Sequence, residues 1–400
     1  MAEEERLFHD GLTLARKATP RVLRPGRGEG LGDEWMQKLC LFAKKIVPEA
    51  LRQGDLGNCW LVSAMSAAAE QPRIVTNLFK QTELSRNGKY KIRLFHPIEE
   101  TWNSYELDDR LPVTAGGKLR NVQLSAAGEL WPALLEKGMV CAPAPCAHAT
   151  QCMCENPGTY RRLTCMRTTL CVDWTWTQAA MFGGYGNLEG SLPYVALKAL
   201  TGATDERILL INREKDGRWK CYMPKLAGLD AARRFMHRFE PTTWPDTGMP
   251  GETSRDSDSL LDALMWSRKG SSLICVGTEG ACSGSTGLEA SHAYTLLRVA
   301  TNLGPSREFD LLQLRNPHGE GSAEWTGAWS DGHPIWDQYP EIKAKLQPYT
   351  ADDGIFWIER DDFEKMFKGI SVCLSEGCAK ARAKPKPAAF IATGRNFWGK

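Results

Sequence analysis

The 400-residue sequence lacks an excess of charge of either sign. Its 50 lysine and arginine residues nearly balance 48 aspartate and glutamate residues, and the formal net charge is +2. A near-neutral chain offers no general attraction for nucleic acid, and we interpret its one basic cluster, residues 380–386, as a solvated linker. Nucleic-acid binding is therefore not expected.

Long apolar runs are also missing. No stretch reaches the roughly 20 apolar residues that a membrane-spanning helix needs. The N-terminus begins with acidic residues instead of the apolar segment of a secretory signal. We therefore expect no transmembrane segment and an intracellular, cytoplasmic location. The sequence indicates no organic cofactor and carries no signal for an oligomeric state.

A disulfide framework is disfavoured, although cysteine is abundant. The thirteen cysteines are odd in number, the chain is long, and it shows no secretory signal, so reduced thiols are the better interpretation. With 42% hydrophobic residues, the chain can bury two cores. These features are typical of an ordinary soluble enzyme.

The most informative segment is the glycine-rich loop at 53–58, which precedes Cys59. A helix is predicted to follow, because apolar residues recur at i, i+3, i+4 and i+7 and would form one buried face: Leu61, Ala64, Met65 and Ala68. Cys59 would lie in its first turn, where backbone N–H groups stabilise a thiolate and a developing oxyanion. Gln53 would supply a second oxyanion donor. The alternative is a buried structural cysteine, so a partner histidine has to decide.

His292 is the candidate partner. It opens an alternating run that predicts a strand, and a second strand is predicted at 309–315, just before Asn316. The turn signal at 302–305 lies between them, so we expect an antiparallel hairpin. A register that sets His292 opposite Asn316 centres on residue 304, inside that turn. Asn316 would then orient the imidazole toward a thiol, whereas a lone strand histidine would be a satisfied core residue.

Several motifs occur in order and resemble the catalytic domain of calpains: QGxxGxCW at 53–60, residues 287–294, LRNP at 314–317 and EWTGAWSD at 324–331. Shorter matches lie at 108–112, 131–137 and 353–357. The resemblance spans residues 30 to 375. It implies an α+β, papain-like cysteine protease fold, with a helical first lobe, a β-rich second lobe and the active site in the cleft between them.

On this resemblance the chain divides into four parts: an N-terminal extension at 1–30, a first catalytic lobe at 31–202, a second catalytic lobe at 203–376 and a basic tail at 377–400. The tail has too few apolar residues for a domain of its own, and it is either a plain tail or the truncated start of a third domain. Residues 138–181 form an insertion in the first lobe, since the helix that contains Trp131 is expected to be cut after Lys137.

The insertion holds six of the thirteen cysteines and shows neither helical nor strand periodicity. One interpretation is a disordered surface loop, since the entropy cost of closing a loop grows only slowly with its length. Another is a translated intron that the working protein lacks. A third interpretation is a small zinc site with unusual spacing, formed by Cys146, His148, Cys152 and Cys154. The segment 278–287, rich in glycine and serine, is predicted to be a surface loop or a mobile lid over the cleft.

The resemblance and the site residues together predict a cysteine endopeptidase that hydrolyses peptide bonds in protein substrates. Cys59 would attack the carbonyl, His292 would accept its proton, and Asn316 would orient His292. Gln53 and the Cys59 N–H would hold the oxyanion. One alternative is a catalytically impaired calpain-like scaffold or regulatory binding protein, because His318 stands where calpains usually carry a tryptophan. Another is a transglutaminase-type acyltransferase, which Asn316 in place of an aspartate disfavours.

The resemblance also implies calcium regulation. At one family site an aspartate precedes the nucleophile and an acid lies near residue 194, whereas this chain has Asn58 and Tyr194, so we expect that site to be lost. At the second site three acids match the family's carboxylate ligands: Glu324, Asp331 and Asp353. They are predicted to bind Ca²⁺ weakly, or else to be solvated loop residues.

Overall fold

The computed structural model describes residues 22–23, 38–113, 119–141, 188, 190–229, 235–245, 254–278, 286–322 and 324–382. Its helices are α1 (Cys59–Ala69), α2 (Pro72–Thr76), α3 (Trp131–Cys141), α4 (Pro193–Thr201), α5 (Ser257–Lys269), α6 (Ile335–Gln338), α7 (Pro340–Leu346), α8 (Arg360–Met366) and α9 (Glu376–Arg382). Short 3-10 helices lie at Pro48–Ala50 and Asp205–Arg207.

The strands are β1 (Val22–Leu23), β2 (Lys89–His96), β3 (Thr101–Asp108), β4 (Leu111–Pro112), β5 (Ile208–Arg213), β6 (Trp219–Leu229), β7 (Phe235–Pro241), β8 (Ser254–Arg255), β9 (Leu273–Thr278), β10 (Ala293–Leu303), β11 (Phe309–Arg315), β12 (Ile355–Glu359) and β13 (Phe367–Cys373). The mixture of helices and strands agrees with the predicted α+β class.

Helix α1 begins at Cys59, as predicted, and every residue from Trp60 to Ala69 is buried. The prediction of a single buried face was therefore too narrow. Small alanine and serine side chains make this enclosure sterically feasible, because they let neighbouring elements approach closely on every side. Cys59 thus lies at the start of a helix that is packed all around.

Nine strands form the main sheet, in the order β12-β11-β10-β9-β13-β5-β6-β7, with β8 paired to β6. Each neighbouring pair is antiparallel. Strands β5 and β6 form an antiparallel hairpin, and helix α5 precedes strand β9. Helix α5 starts at Ser257 because Oδ1 of Asp256 accepts the backbone N–H of Ser259, a typical N-cap bond.

The hairpin of β10 and β11 is also confirmed, but its register differs from the prediction. Thr295 pairs with Arg315 and Leu296 with Leu314, so residue 292 is displaced by two positions from the predicted partner. Irregularities follow along β10, and counting residues outward from a turn signal cannot locate them. Because side chains alternate with a period of two, a shift of two keeps the same side chains on the same face.

Two large hydrophobic clusters lie on either side of the sheet. The first is built mainly by α1, α3, α4, β2 and β3, and it reaches the sheet through Leu273 and Cys275 of β9. The second includes the alternate β9 residues Ile274 and Val276 together with apolar residues of α5. A smaller third cluster contains Trp329, Trp336 and Trp357.

Helix α3 departs from the prediction at its C-terminal end. It was expected to be cut after Lys137, but it continues to Cys141. Met139 and Val140 extend its apolar face and are buried in the first cluster. The expected start of the insertion at residue 138 therefore falls within a packed helix.

Several predicted regions lie outside the described residues: the N-terminal extension apart from 22–23, insertion residues 142–181 with the four candidate zinc ligands, lid residues 279–285 and tail residues 383–400. The start of the tail is described, and Cys378 of α9 is buried. Among the helices of the described ranges, none combines the length and apolar character that a membrane crossing requires.

Candidate active site

The loop before Cys59 is held against a neighbouring loop. The N–H of Asp55 donates to the carbonyl oxygen of Arg120 at 2.9 Å. Gly54 is needed at this point, since a Cβ on it would lie 2.0 Å from the carbonyl oxygen of Asn121. The glycine therefore allows the close approach that positions the start of α1.

Asn58, the N-cap residue of α1, does not cap the helix with its side chain. Its Nδ2 instead donates to Oε1 of Glu136 at 2.6 Å, and both side chains are buried. Oε2 of Glu136 accepts the N–H of Val122 at 3.2 Å. Burial raises the pKa of Glu136 to about 7 against the opposing effect of these two hydrogen bonds. Sequence analysis missed this contact, because 78 positions separate the two residues.

The thiol of Cys59 is half-buried. Burial is the largest influence and raises its pKa, and the charge of Glu289 acts in the same direction. Backbone hydrogen bonds from Ala293, Trp60 and Cys59 itself oppose this rise. The resting thiol is therefore favoured over the thiolate that a helix N-terminus alone would predict. The bond from Ala293 also places the sulfur beside the residue that follows His292.

His292 and Asn316 are brought together. His292 Nε2 lies 2.9 Å from Asn316 Oδ1, and both side chains are buried. Oδ1 also accepts the backbone N–H of His318 at 3.0 Å, while Nδ2 donates to Oε1 of Glu289 at 3.2 Å. These partners fix the orientation of the amide. The proton of the neutral imidazole consequently lies on Nε2, and Nδ1 keeps its lone pair.

The protonation state of His292 follows from its surroundings. Burial is the largest effect and lowers its pKa, and the nearby His318 adds to this. The charge of Glu289 and the bond with Asn316 act in the opposite direction. The net result favours the neutral imidazole, which is the form that accepts a proton.

His318 and Glu289 border the His292 ring. The two imidazoles stack with ring centroids 4.8 Å apart and an interplanar angle of 26°. Nε2 of His318 lies 3.4 Å from Oε2 of Glu289, and that oxygen lies 4.0 Å from Nδ1 of His292. Sequence analysis singled out His318 but missed Glu289, whose only signal is its position three residues before His292.

Gln53 lies next to the Asn316 loop. Its N–H donates to the carbonyl oxygen of Pro317 at 2.8 Å. One hydrogen of its Nε2 is used within its own loop, in a bond of 2.7 Å to the carbonyl oxygen of Leu56. The amide nitrogen carries a second hydrogen, which is available to a ligand.

Arg315 joins the hairpin to α1, a role that sequence analysis did not assign. Its buried guanidinium donates to the carbonyl oxygen of Leu51 at 2.5 Å and to Oγ of Ser66 at 3.4 Å. Thr295 Oγ1 adds a bond of 2.8 Å to the carbonyl oxygen of Ser63. These bonds set the helix that carries Cys59 against the hairpin that carries His292.

Two of the three predicted calcium ligands have pKa values that are raised in part by the charges of the others. Burial, with the charges of Asp331 and Asp353, raises the pKa of Glu324 to about 7, and burial and Asp353 raise the pKa of Asp331. Each carboxylate also accepts one backbone N–H, at 2.7 to 3.1 Å. A cation would relieve the mutual repulsion of these oxygens. Among the described residues, however, these three carboxylates do not form a group whose ligand atoms all lie within 4.8 Å of one another.

The residues at the other calcium position of the family, Asn58 and Tyr194, do not fit a calcium ion. The amide of Asn58 is engaged by Glu136, and the hydroxyl of Tyr194 bonds to Nδ1 of His237 at 2.5 Å. Neither residue offers an anionic oxygen, which a Ca²⁺ site requires to compensate the ion's charge.

Comparison with known proteins identifies the family of the chain. A sequence model described as "Calpain family cysteine protease" matches residues 27–143 and 175–374. The chain belongs to the calpain family. Residues 144–174 lie outside the match, so the family alignment resumes earlier than the predicted end of the insertion at 181.

Individual calpains are identical to this chain at about a quarter of the aligned residues. Calpain-type cysteine protease DEK1 of Arabidopsis thaliana is 26% identical over 340 residues, which is 84% of this chain and 12% of the relative. Calpain-5 of Caenorhabditis elegans is 24% identical over 83% of this chain and 44% of the relative. Calpain-12 of Homo sapiens is 25% identical over 88% of this chain and 38% of the relative. The chain thus spans less than half the length of each of these relatives.

Proposed function

We propose that this calpain family member is a cysteine endopeptidase that hydrolyses peptide bonds in protein substrates through Cys59, His292 and Asn316. One observation carries the proposal. His292 Nε2 is held by Asn316 Oδ1 at 2.9 Å, while the adjoining Ala293 N–H bonds to the Cys59 thiol. A thiol, an imidazole with a free Nδ1 lone pair and an orienting amide are the groups that acyl transfer to sulfur requires.

The reaction begins from a neutral thiol and a neutral imidazole. Nδ1 of His292 accepts the thiol proton as the sulfur of Cys59 attacks the peptide carbonyl carbon. The imidazolium then donates that proton to the leaving amine, the C–N bond breaks, and a thioester remains on Cys59. Water attacks the thioester with His292 again as base, which releases the carboxylic acid and restores the thiol. Asn316 accepts the Nε2–H throughout and stabilises the charged ring.

Two donors are proposed to hold the oxyanion. The backbone N–H of Cys59 lies at the positive end of α1, and Gln53 has one amide hydrogen that is not used by Leu56. Such donors are worth most when the loop that carries them is already ordered, because no reorganisation is needed during the reaction. The contacts of Gly54 and Pro317 supply that order.

We place these residues in a papain-like arrangement of two lobes, 31–202 and 203–376, with the cleft between α1 and the β10–β11 hairpin. The first hydrophobic cluster comes mainly from residues before 203 and the second only from later residues, which supports this division, and the first cluster also contacts the second lobe through Leu273 and Cys275. The bonds of Arg315 and Thr295 would then cross from one lobe to the other. An intracellular location is proposed by analogy with soluble enzymes that keep reduced thiols.

Calcium is proposed to bind at Glu324, Asp331 and Asp353, where it would neutralise a group of mutually repelling carboxylates. Bound there, it would supply charge compensation and order to the loops that carry these residues. The donor set at Asn58 and Tyr194 supports no second ion.

A catalytically impaired scaffold is the alternative, and labelling distinguishes it from the peptidase. A peptidyl epoxide should alkylate Cys59, and Cys59→Ala should lower peptidase activity roughly a thousandfold or more. Cys40→Ala is the matched control, because Cys40 is the other half-buried free cysteine among the described residues. An unlabelled Cys59, or a Cys59→Ala protein with full activity, would refute the proposal.

A further inference from the structure

Three side chains with metal-binding atoms converge at the edge of the proposed catalytic pair. The ligand atoms of Glu289, His292 and His318 all lie within 4.8 Å of one another. Oε2 of Glu289 occupies the middle, 3.4 Å from Nε2 of His318 and 4.0 Å from Nδ1 of His292. The group is therefore a compact set of two imidazole nitrogens and one carboxylate oxygen.

In His292 and Glu289 the second side-chain atom is already engaged, and this directs the first atom toward the shared point. His292 uses Nε2 for Asn316, so its Nδ1 carries the lone pair. Glu289 uses Oε1 to accept from Nδ2 of Asn316, so its Oε2 is directed inward. The stack on His292 and the bond from its own N–H to Asn316 hold His318 in place. Asn316 thus organises all three groups.

Two histidines and a carboxylate form a ligand set that Zn²⁺ accepts, with a fourth position left open. At metal–ligand distances of about 2.0–2.2 Å, two ligand atoms of a tetrahedral Zn²⁺ ion lie about 3.3–3.6 Å apart. The 3.4 Å separation of His318 Nε2 from Glu289 Oε2 already matches this spacing, and the 4.0 Å separation of His292 Nδ1 from the same oxygen has to shorten by about 0.5 Å. Glu289 and His318 are partly exposed and have room to adjust, with side-chain exposures of 39% and 31%.

We propose that Glu289, His292 and His318 form an inhibitory Zn²⁺ site. The metal would bind Nδ1 of His292, which is the lone pair that the proposed reaction uses to accept the thiol proton. Zinc binding and proton transfer would therefore exclude each other. The binding itself stands on the geometry alone, whereas its inhibitory effect rests on the proposed peptidase function.

Binding is tested first in Cys59→Ala protein, so that the nucleophile does not contribute. Bound zinc is measured by dialysis against buffered free Zn²⁺, with and without His318→Gln. At the free concentration that half-saturates the site in protein with His318, we expect up to half an equivalent less zinc in the His318→Gln protein. His333→Gln is the matched control, because His333 is a partly buried histidine outside the cluster. In ¹⁵N-histidine spectra, zinc should shift the ring signals of His292 and His318.

Inhibition is tested in protein with Cys59 intact. Mutating outer-shell partners of a metal site weakens binding by about 10–100-fold, so removing a ligand should raise the half-inhibitory zinc concentration at least tenfold. This is expected for His318→Gln and for Glu289→Gln, which retains an acceptor for Asn316, but not for His333→Gln. Equal zinc stoichiometry in all variants, with unshifted His292 and His318 signals, would overturn the site. Absence of peptidase activity without zinc would instead refute the proposed function and leave the binding result valid.

Discussion

Glu136 supports Asn58, the residue before Cys59, and its burial leads to a quantitative prediction. Among the described residues, the carboxylate accepts hydrogen bonds from two donors, Nδ2 of Asn58 and the N–H of Val122. Oδ1 of Asn58 is also buried and accepts no hydrogen bond within the described residues. In Glu136→Gln, rotation of the Asn58 amide would let the new side-chain amide donate to that oxygen and still accept from Val122. The buried charge would then be removed, while Nδ2 of Asn58 would give up its present acceptor in exchange.

The magnitude follows from the shifted pKa. The pKa of Glu136 rises from 4.5 to about 7 on folding, which corresponds to on the order of 3 kcal/mol at about 1.4 kcal/mol per pKa unit. The folded protein holds this proton to higher pH than the unfolded chain does. The contribution of Glu136 to the free energy of unfolding therefore falls as pH rises from about 4.5 to about 7, and then levels off. Glu136→Gln removes this dependence.

The assay is urea denaturation of both proteins between pH 5 and pH 8. The stability of the Glu136→Gln protein minus that of the unmodified protein should grow across this range, by on the order of 3 kcal/mol in total. Taking the difference between the two proteins cancels the pH dependence that the other titrating groups contribute to both. Glu106→Gln, which removes an exposed acid paired with Lys89, controls for the change in net charge. A difference that is constant with pH, or that falls as pH rises, would refute this account of Glu136.

Three further predictions address calcium, the insertion and residue 318. A calcium titration of melting temperature should show one weak site that Glu324→Gln abolishes, and two tight sites by calorimetry would contradict this. Deleting residues 144–174, outside the family match, should preserve stability. Joining residue 137 to 181 should instead lower stability, as urea denaturation would measure, because it removes the buried Met139 and Val140, and the loss of Met139 alone should cost about 2–5 kcal/mol. His318→Trp should raise turnover by a factor of up to about ten, because a larger apolar ring shields the His292–Asn316 bond, worth roughly 1 kcal/mol, from water. Lower turnover with an unchanged fold would mean that the histidine is integral to the site.

Local signals in the sequence determined the start of α1, the hairpin of β10 and β11, and the types of residue in the candidate site. Each depends on neighbours within a few positions: a glycine-rich loop before an apolar helix, and two alternating runs around a turn signal. The pairing of His292 with Asn316 was predicted for the same reason, although the register behind it was wrong. A displacement of two residues left the side chains on one face, so the contact survived the error.

The tertiary structure alone decided how these parts are held and protonated. Glu136 reaches Asn58 across 78 positions, and Arg315 reaches Leu51 across 264. Such contacts depend on how helices and the sheet pack, which no local pattern encodes. The same packing buries Cys59 and His292 deeply enough to favour their neutral forms, because a charge loses hydration when it leaves water. The residue types at the site could therefore be predicted from the sequence, whereas their resting protonation and the three-ligand cluster around Glu289 are properties of the folded chain.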